Sequence, residues 1–226
     1  LPISAFAVGG VANAINIIDG FNGLAAGVIL IALLALGVLA QSVGDTALAG
    51  ACLLTGAAVM GFLLVNFPFG KIFLGDGGAY LLGFLVAWLA VLLAHRNPGI
   101  SPWAGLMACA YPVLEVLFTI WRRAVRKHHP GHPDRLHLHS LVKCRVTRKR
   151  FSTLPPVLKN SAVSPFVWAW AAGPAACAVA FRGNSGLLIL LFICFAGLYA
   201  LAYRRLIRFA RGGKRLRVPS SGVVGP

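Results

Sequence analysis

The stretch NAINIIDGFNGLAAGVILIALLALGVLA, residues 13–40, decides the fold, because it joins a polar segment to a long apolar run. Roughly 20 apolar residues in helical form cross a ~30 Å hydrocarbon core. Apolar runs of this kind recur along the chain, at residues 23–41, 46–65, 78–94, 101–121, 162–181 and 186–204. A partial span ends near Asn16. The pattern predicts an all-α integral membrane protein, a bundle of about six full transmembrane helices plus one partial N-terminal helix.

The composition agrees with a membrane location. Of the 226 residues, 58% are hydrophobic and 12% are charged, whereas soluble domains carry about 25% charged residues. The net charge is +16, and 19 of the 21 Lys and Arg residues fall in loops on one side of the predicted bundle. Cytoplasmic loops are rich in Lys and Arg. We therefore assign the basic side to the cytoplasm and expect a lipid bilayer, not a nucleic acid, as the partner.

The chain divides into two predicted parts. Residues 1–204 form a polytopic membrane domain that includes a cytoplasmic loop, residues 122–161, rich in His and Arg. Residues 205–226 form a basic tail that then becomes rich in Gly, Ser and Pro. Such a composition predicts a disordered tail that adheres to the lipid surface. The predicted cytoplasmic loops carry most of the polar residues, so a site that faces the cytoplasm is expected.

The first candidate site segment precedes the span at residue 23. Asn13, Asn16 and Asp19 are spaced three residues apart, so a helix would place them on one face. Gly20 and Gly23 would let the backbone turn and approach a ligand closely. The segment is therefore predicted to bind a ligand at the cytoplasmic edge of the membrane.

The second candidate segment is FLGDGGAYLLG, in which Asp76 lies between glycines just ahead of a span. A carboxylate held by bare backbone suits a metal ion that must also admit phosphate oxygens. Structural interpretations remain open for both segments. Asp19 or Asn22 could cap the helix that follows, and Asp76 could lie in a plain turn or face a helix N-terminus.

Glu115, in YPVLEVLFTIWRR, is an acid within a predicted span. Such an acid is costly in a membrane, by roughly 2.5–3.5 kcal/mol, so a partner or a watery cleft is expected beside it. Two alternatives are open. Glu115 could pair with Arg122, Arg123 or Arg126 near the cytoplasmic end of the span, or it could act in catalysis.

The fourth segment, HHPGHPDRLHLHS, belongs to the predicted cytoplasmic loop. His137 and His139 alternate with leucine, after Asp134 and Arg135. A zinc site is one alternative, but no Cys stands at ligand spacing. A guanidinium group binds phosphate in a bidentate manner. Phosphate recognition is therefore the preferred interpretation.

Three acids, Asp19, Asp76 and Asp134, are thus predicted on one membrane face together with many cations. Carboxylates repel phosphates, by about 4 kcal/mol for two unit charges 4 Å apart at a dielectric of 20. A divalent cation between them removes that repulsion. Mg²⁺ is expected, with Mn²⁺ as an alternative, because one or two carboxylates and substrate phosphates are its usual ligands. The pattern favours metal-assisted phosphoryl transfer.

The segments NAINIIDGFNGLAAG, FLGDGGAYLLG, YPVLE and PDRLHLHS, in this order, resemble the polyprenyl-phosphate N-acetylhexosamine-1-phosphate transferases, which include the phospho-N-acetylmuramoyl-pentapeptide transferases. The PDR-HLH form is more similar to the N-acetylglucosamine branch. The resemblance implies a multi-pass enzyme of the bacterial inner membrane with a cytoplasmic active face. It would transfer a sugar-1-phosphate from a UDP-N-acetylhexosamine to undecaprenyl phosphate and release UMP, as the initiating step of O-antigen, lipopolysaccharide or cell-wall polymer synthesis. A homodimer is left open.

The resemblance also implies roles for individual residues. The residues expected to be catalytic are Asp19, Asp76, His137 and His139. The expected metal ligands are Asp19 and Asp76. The residues expected to bind substrate are Asn13, Asn16, Gly20, Asn22, Gly23, Lys71, Asp134 and Arg135.

Three features depart from the family pattern. Asn22 stands where many members have Asp, Ser140 stands where many have His, and the paired aspartates of the family are absent from these 226 residues. The chain begins with Leu inside a hydrophobic run, so an N-terminally truncated chain is expected. Two hypotheses follow: the C-terminal part of a working enzyme, or an inactive remnant that binds nucleotide sugar or lipid phosphate.

Overall fold

A computed structural model describes residues 2–126, 136–147 and 150–208. Within these ranges the regular structure is helical, as predicted. The long helices are α1 (Pro2–Ile18), α2 (Leu24–Ser42), α3 (Thr46–Asn66), α4 (Gly75–Arg96), α6 (Ala110–Arg126), α9 (Ser164–Ala180) and α10 (Ser185–Arg208). The short helices are α5 (Pro102–Ala108), α7 (Leu138–Val142) and α8 (Pro156–Ser161). A single π-helical turn, Lys143–Thr147, continues α7.

Five helical segments of the described chain are long and apolar enough to span a membrane, and a bent pair raises the number to six. The predicted spans are therefore confirmed in number, and their ends agree with α2, α3, α4 and α9 within a few residues. Helix α1 is a shorter apolar helix, as expected for the partial span, and it ends at Ile18. The architecture is that of a polytopic helical membrane protein.

Two predicted boundaries are wrong. The span at 101–121 is broken into α5 and α6, which meet at an angle of 82° around Cys109. Pro112 lies in the first turn of α6, where proline is tolerated because that N–H needs no helical partner. At the C-terminus, α10 continues to Arg208, so the predicted tail begins as helix; the rest of the tail lies outside the described residues.

Helix α2 lies at the centre of the bundle. It is apolar on every side, which is typical of a buried helix, and it packs against α3, α4, α5 and α9. Helices α1 and α4 also pack closely, since a Cβ atom on Gly83 would lie 2.8 Å from the Cα atom of Ala12. By contrast, α10 exposes large apolar side chains, including Leu190 and Ile193. Exposed apolar faces of this kind suit contact with lipid.

The helix connections form two groups at opposite ends of the bundle. At one end, Asp45 Oδ2 lies 3.1 Å from Nε of Arg96 and accepts a 3.2 Å hydrogen bond from Asn97. The backbone N–H of Ser101 donates to the carbonyl oxygen of Arg182 at 2.8 Å at the same end. This end contains the loops predicted to lie outside the cytoplasm. The other end contains the predicted site segments.

Candidate active site

The first site segment is the turn between α1 and α2. Helix α1 ends at Ile18, Asp19 is half-buried, and Gly20 is exposed. Gly23 has φ 76°, a left-handed conformation that favours glycine. Its N–H donates to Oδ1 of Asn66 at 2.5 Å. The turn is thus fixed to the end of α3.

Asn66 also fixes the second site segment, the loop from α3 to α4. Its side-chain Nδ2 donates to the carbonyl oxygen of Ile72 at 2.6 Å, and the side chain is buried. One amide therefore ties the Asp19 turn to the loop that leads to Asp76. Sequence reasoning did not single out Asn66. The available signal was an amide side chain at the cytoplasmic end of an apolar helix.

Asp76 lies in the first turn of α4 and is exposed. Within the described residues no hydrogen bond is found for its carboxylate, and the α4 cap involves no side chain. The pKa of Asp19 is raised, first by partial burial and second by the charge of Asp76. The two predicted metal ligands are thus close enough to repel each other. Positive charge at the N-terminus of α4 also favours an acid at this position.

The histidine segment lies at the same end of the bundle. The His139 ring meets Phe21 edge to face, with 5.4 Å between ring centroids. A Cβ atom on Gly20 would lie 4.0 Å from Nε2 of His139. The structure therefore brings the histidine segment against the turn that carries Asp19, although 120 residues separate Asp19 from His139 in sequence.

The two histidines differ in exposure. The side chain of His139 is 4% exposed, whereas that of His137 is 13% exposed. Burial lowers the pKa of His139 to about 4, although the nearby carboxylate of Glu115 acts in the opposite direction. A neutral His139 is therefore expected at pH 7. His137 is the more accessible of the pair.

Among the side chains that the structure describes, Glu115 contacts two histidines. Its Oε1 atom lies 3.1 Å from Nδ1 of His137, and its Oε2 atom lies 3.8 Å from Nδ1 of His139. Arg122 donates to the carbonyl oxygen of Leu136 and to the hydroxyl of Tyr203. Glu115 is thus paired with His137 and His139, the two histidines predicted to bind phosphate.

Asn22 is buried and bonded within the protein. Its Nδ2 atom donates to the carbonyl oxygen of Pro68 and to Oγ of Ser161, both at 3.2 Å. The backbone carbonyl oxygen of Asn22 accepts a 2.6 Å hydrogen bond from Oγ of Ser164. The N-cap of α2 is Gly23, so the expectation that Asp19 or Asn22 caps this helix is wrong. Substrate contact by Asn22 stays a prediction beside this structural function.

The remaining predicted substrate contacts have fewer structural partners. Asn13 is exposed and Asn16 is half-buried, both on α1, whereas Asp19, predicted on the same helical face, lies beyond the end of α1 at Ile18. Lys71 is exposed in the loop before α4. Asp134 and Arg135 lie outside the described residues. Direct contacts between any of these residues and a substrate stay predictions.

The two predicted ligands of a magnesium ion, Asp19 and Asp76, both lie in the described part of the site. No group of three or more His, Cys, Asp or Glu side chains that could hold a metal ion occurs among the residues that the structure describes. The repulsion between Asp19 and Asp76 would be relieved by a cation. Two carboxylates, with the remaining ligands from phosphates and water, fit the coordination that Mg²⁺ prefers.

The end of the bundle therefore combines a pair of acids, a pair of histidines and closely packed turns beside lipid-facing helices. This arrangement defines a class of protein: a polytopic helical membrane protein with acids and histidines gathered at one end of its bundle. Comparison with known proteins agrees with this class. Residues 1–94 match the model of the family described as glycosyl transferase family 4.

Individual relatives extend the match beyond residue 94. The chain is 33% identical over 154 residues to a protein of Bacillus subtilis named a probable undecaprenyl-phosphate N-acetylglucosaminyl 1-phosphate transferase, covering 68% of this chain and 43% of that protein. It is 32% identical over 145 residues to the undecaprenyl-phosphate alpha-N-acetylglucosaminyl 1-phosphate transferase of Escherichia coli K12, covering 62% and 40%. These comparisons confirm the resemblance to the sugar-1-phosphate transferases that was found in the sequence. The chain spans about two fifths of the length of these relatives.

Proposed function

We propose that this chain forms part of the active site of an enzyme that transfers an N-acetylhexosamine-1-phosphate from a UDP-sugar to a polyprenyl phosphate. One observation carries the proposal: the turn with Asp19, the first helical turn with Asp76 and the segment with His137 lie at the same end of the bundle. The names of the relatives favour UDP-N-acetylglucosamine as the donor and undecaprenyl phosphate as the acceptor.

The reaction exchanges one phosphoanhydride bond for another. An oxygen of the polyprenyl phosphate attacks the β-phosphorus of the UDP-sugar, the phosphorus that carries the sugar. The bond from this phosphorus to the bridging oxygen breaks, and UMP leaves with that oxygen. Because the reacting groups are all anionic, positioning and charge neutralisation are the main tasks of the protein.

The described residues divide these tasks. Asp19 and Asp76 would hold Mg²⁺, with Mn²⁺ as an alternative. When bound, this ion would neutralise phosphate charge and orient the diphosphate. His137, the more accessible histidine, would face a phosphate oxygen through Nε2 and would donate a hydrogen bond to it when the ring is protonated. Asn13 and Asn16, on the face of α1 that leads to Asp19, would contact the nucleotide sugar.

The membrane setting supports the same function. The hydrophobic tail of the acceptor would lie in the bilayer, and its phosphate would lie at the membrane surface, next to the site. The excess of Lys and Arg in the loops at this end supports a cytoplasmic position for the site. In a bacterial inner membrane, the product would start a surface glycan such as O-antigen or a cell-wall polymer. A homodimer stays a prediction.

The test is an assay of UMP release with the protein produced from its complete gene in membrane vesicles. A panel of UDP-sugars is supplied with undecaprenyl phosphate and Mg²⁺. We expect release with a UDP-N-acetylhexosamine only when the lipid phosphate is present. Asp76→Asn should lower the rate by at least about a hundredfold, because a lost metal ligand costs several kcal/mol.

The matched control is Arg182→Gln, which also removes one charge but lies at the opposite end of the bundle, where Arg182 is exposed. This variant should keep the wild-type rate. Retention by Asp76→Asn of a rate within about threefold of the wild type would contradict the metal role. Binding of nucleotide sugar without any UMP release would instead support the inactive remnant.

A further inference from the structure

A buried carboxylate lies beneath the two histidines of the site. Glu115 is in the middle of α6, and 1% of its surface is exposed. Its Oε1 atom is bonded to Nδ1 of His137 at 3.1 Å and accepts a 3.0 Å bond from the backbone N–H of Leu138. Its Oε2 atom accepts a 3.3 Å bond from the hydroxyl of Tyr111. Glu115 therefore fixes the start of α7 as well as the histidine ring.

These bonds determine which nitrogen of His137 carries the proton. An ionised carboxylate only accepts hydrogen bonds, so Nδ1 of His137 must be the donor. In a neutral ring the other nitrogen, Nε2, then has no proton and can accept one. In a protonated ring both nitrogens are donors. In either form, Nε2 is the ring nitrogen left for a ligand.

Other groups on α6 hold the same short segment. Tyr111, one helical turn before Glu115, has its hydroxyl 3.3 Å from Nδ1 of His139. Arg122, two turns after Glu115, donates to the carbonyl oxygen of Leu136. Residues four and seven apart share one helix face. One face of α6 thus contacts residues 136–139 at three levels, with Glu115 at the middle level.

The ring of His139 completes the arrangement. It stacks on the ring of His137, with centroids 5.2 Å apart and an interplanar angle of 8°. His139 is buried, and Phe21 meets its ring edge to face. The ring of His137 is therefore fixed by stacking on the ring of His139 and by the bond between its Nδ1 atom and Glu115. Rotation of His137 would break the bond to Glu115 and the stack together.

We propose that Glu115 is a positioning residue that acts through His137: it fixes the Nδ1–H tautomer and the ring orientation, so that Nε2 meets a phosphate group of the substrate. The identity of the substrate in this proposal rests on the proposed transferase function. The effect of Glu115 on the tautomer and orientation of His137 does not. Carboxylate partners of functional histidines fix tautomer and orientation in the same way in other proteins.

The kinetic test uses Glu115→Gln, which keeps the size of the side chain and removes its charge. We expect kcat to fall about 10- to 100-fold, the usual effect of losing such a partner, while KM for the UDP-sugar changes less than about threefold. Glu115→Asp should recover part of kcat. The double variant Glu115→Gln/His137→Ala should be no slower than His137→Ala alone, because both changes remove the same function. A kcat of the double variant that lies below that of His137→Ala by the factor that Glu115→Gln causes alone would overturn the proposal.

A second measurement does not need turnover. Imidazole ¹⁵N shifts are recorded on the detergent-solubilised protein with labelled histidine, and the His137 signals are assigned by their loss in His137→Gln. The wild-type protein should show the Nδ1–H form of His137, and Glu115→Gln should shift its ring toward a mixture of tautomers. An Nε2–H form in the wild type would overturn the proposal even if Glu115→Gln does not fold. Absence of UMP release with the expected tautomer would instead contradict the proposed function alone.

Discussion

Trp168 of α9 lies directly against Gly27 of α2: a Cβ atom at residue 27 would be 2.0 Å from Nε1 of the indole. The same Nε1 atom donates a 3.0 Å hydrogen bond to the carbonyl oxygen of Gly23, in the turn that leads from Asp19. Any side chain at residue 27 would displace the indole and break this bond. The contact therefore links the packing of two central helices to the geometry of the site.

Gly27→Ala should destabilise the protein, by about 1–3 kcal/mol, because overpacking forces the ring and the backbone to shift. The measurement is the midpoint of thermal unfolding in detergent. Gly37→Ala is the matched control on the same helix, because its Cβ would lie 3.4 Å from Cβ of Cys52, an ordinary contact. Alanine has the higher helix propensity, so the control should not lower the midpoint. Equal midpoints for the two variants would show that the close contact has no energetic importance.

Asn66→Asp should disturb both halves of the acidic site. The carboxylate could still accept from the N–H of Gly23, but it could not donate to the carbonyl oxygen of Ile72. This part-buried carbonyl would lose its partner, and a carboxylate beside it would repel it. We expect a lower unfolding midpoint and a lower rate of UMP release.

Thr55→Val, also on α3, is the control for Asn66→Asp. Within the described part of the chain, the hydroxyl of Thr55 bonds to the carbonyl oxygen of Ala51 in its own helix. Its removal should leave the rate of UMP release unchanged. A full wild-type rate in Asn66→Asp would mean that the two loops keep their positions without this amide.

Magnesium should stabilise the protein against heat, because a ligand that binds the folded state raises its stability by RT ln(1 + [L]/Kd). Asp19→Asn and Asp76→Asn should each reduce the shift that saturating Mg²⁺ produces. Without metal, Asp19→Asn should unfold at a temperature no lower than the wild type, because it removes the repulsion with Asp76. Arg182→Gln should respond to Mg²⁺ like the wild type. An undiminished shift in both aspartate variants would place the ion elsewhere.

At the far end of the bundle, Asp45→Ala should lower the unfolding midpoint more than Arg96→Gln does. Asp45 accepts from the N–H of Leu48 as the N-cap of α3 and also from Asn97, so alanine removes several bonds at once. The side chain of Arg96 is 47% exposed, and ion pairs of exposed groups contribute little. Neither variant should change the metal response of the site. The reverse order of midpoints would show that the ion pair, not the cap, stabilises this end.

The sequence predicted much of the fold, because a membrane span needs a long apolar run and such runs are visible directly. The break between α5 and α6 was missed because the composition stays apolar across Cys109. Pro112 was the available signal, since its place in a first helical turn marks a helix start. The short helix α8 was missed for a similar reason: six residues have no readable period.

For the site, the sequence located the acids and the histidines but not the groups that hold them. Asn66, Ser161 and Trp168 bond to residues 43, 139 and 145 positions away, respectively. No local pattern reveals such distant partners. The histidine partners of Glu115 were missed likewise, because arginines nearby in sequence offered the simpler pairing. Spacing therefore indicated candidate site residues, and tertiary packing determined how their side chains are oriented.

The interaction between Asp45 and Arg96 has a consequence for biosynthesis. The two residues are 51 positions apart, so at roughly 5–20 residues per second the arginine leaves the ribosome about 3 to 10 seconds after the acid. During this interval Asp45 can still accept a hydrogen bond from its own helix, through the N–H of Leu48. Arrival of α4 then supplies both Arg96 and Asn97. Asp45 would thus gain its partners on α4 only after that helix has been synthesised.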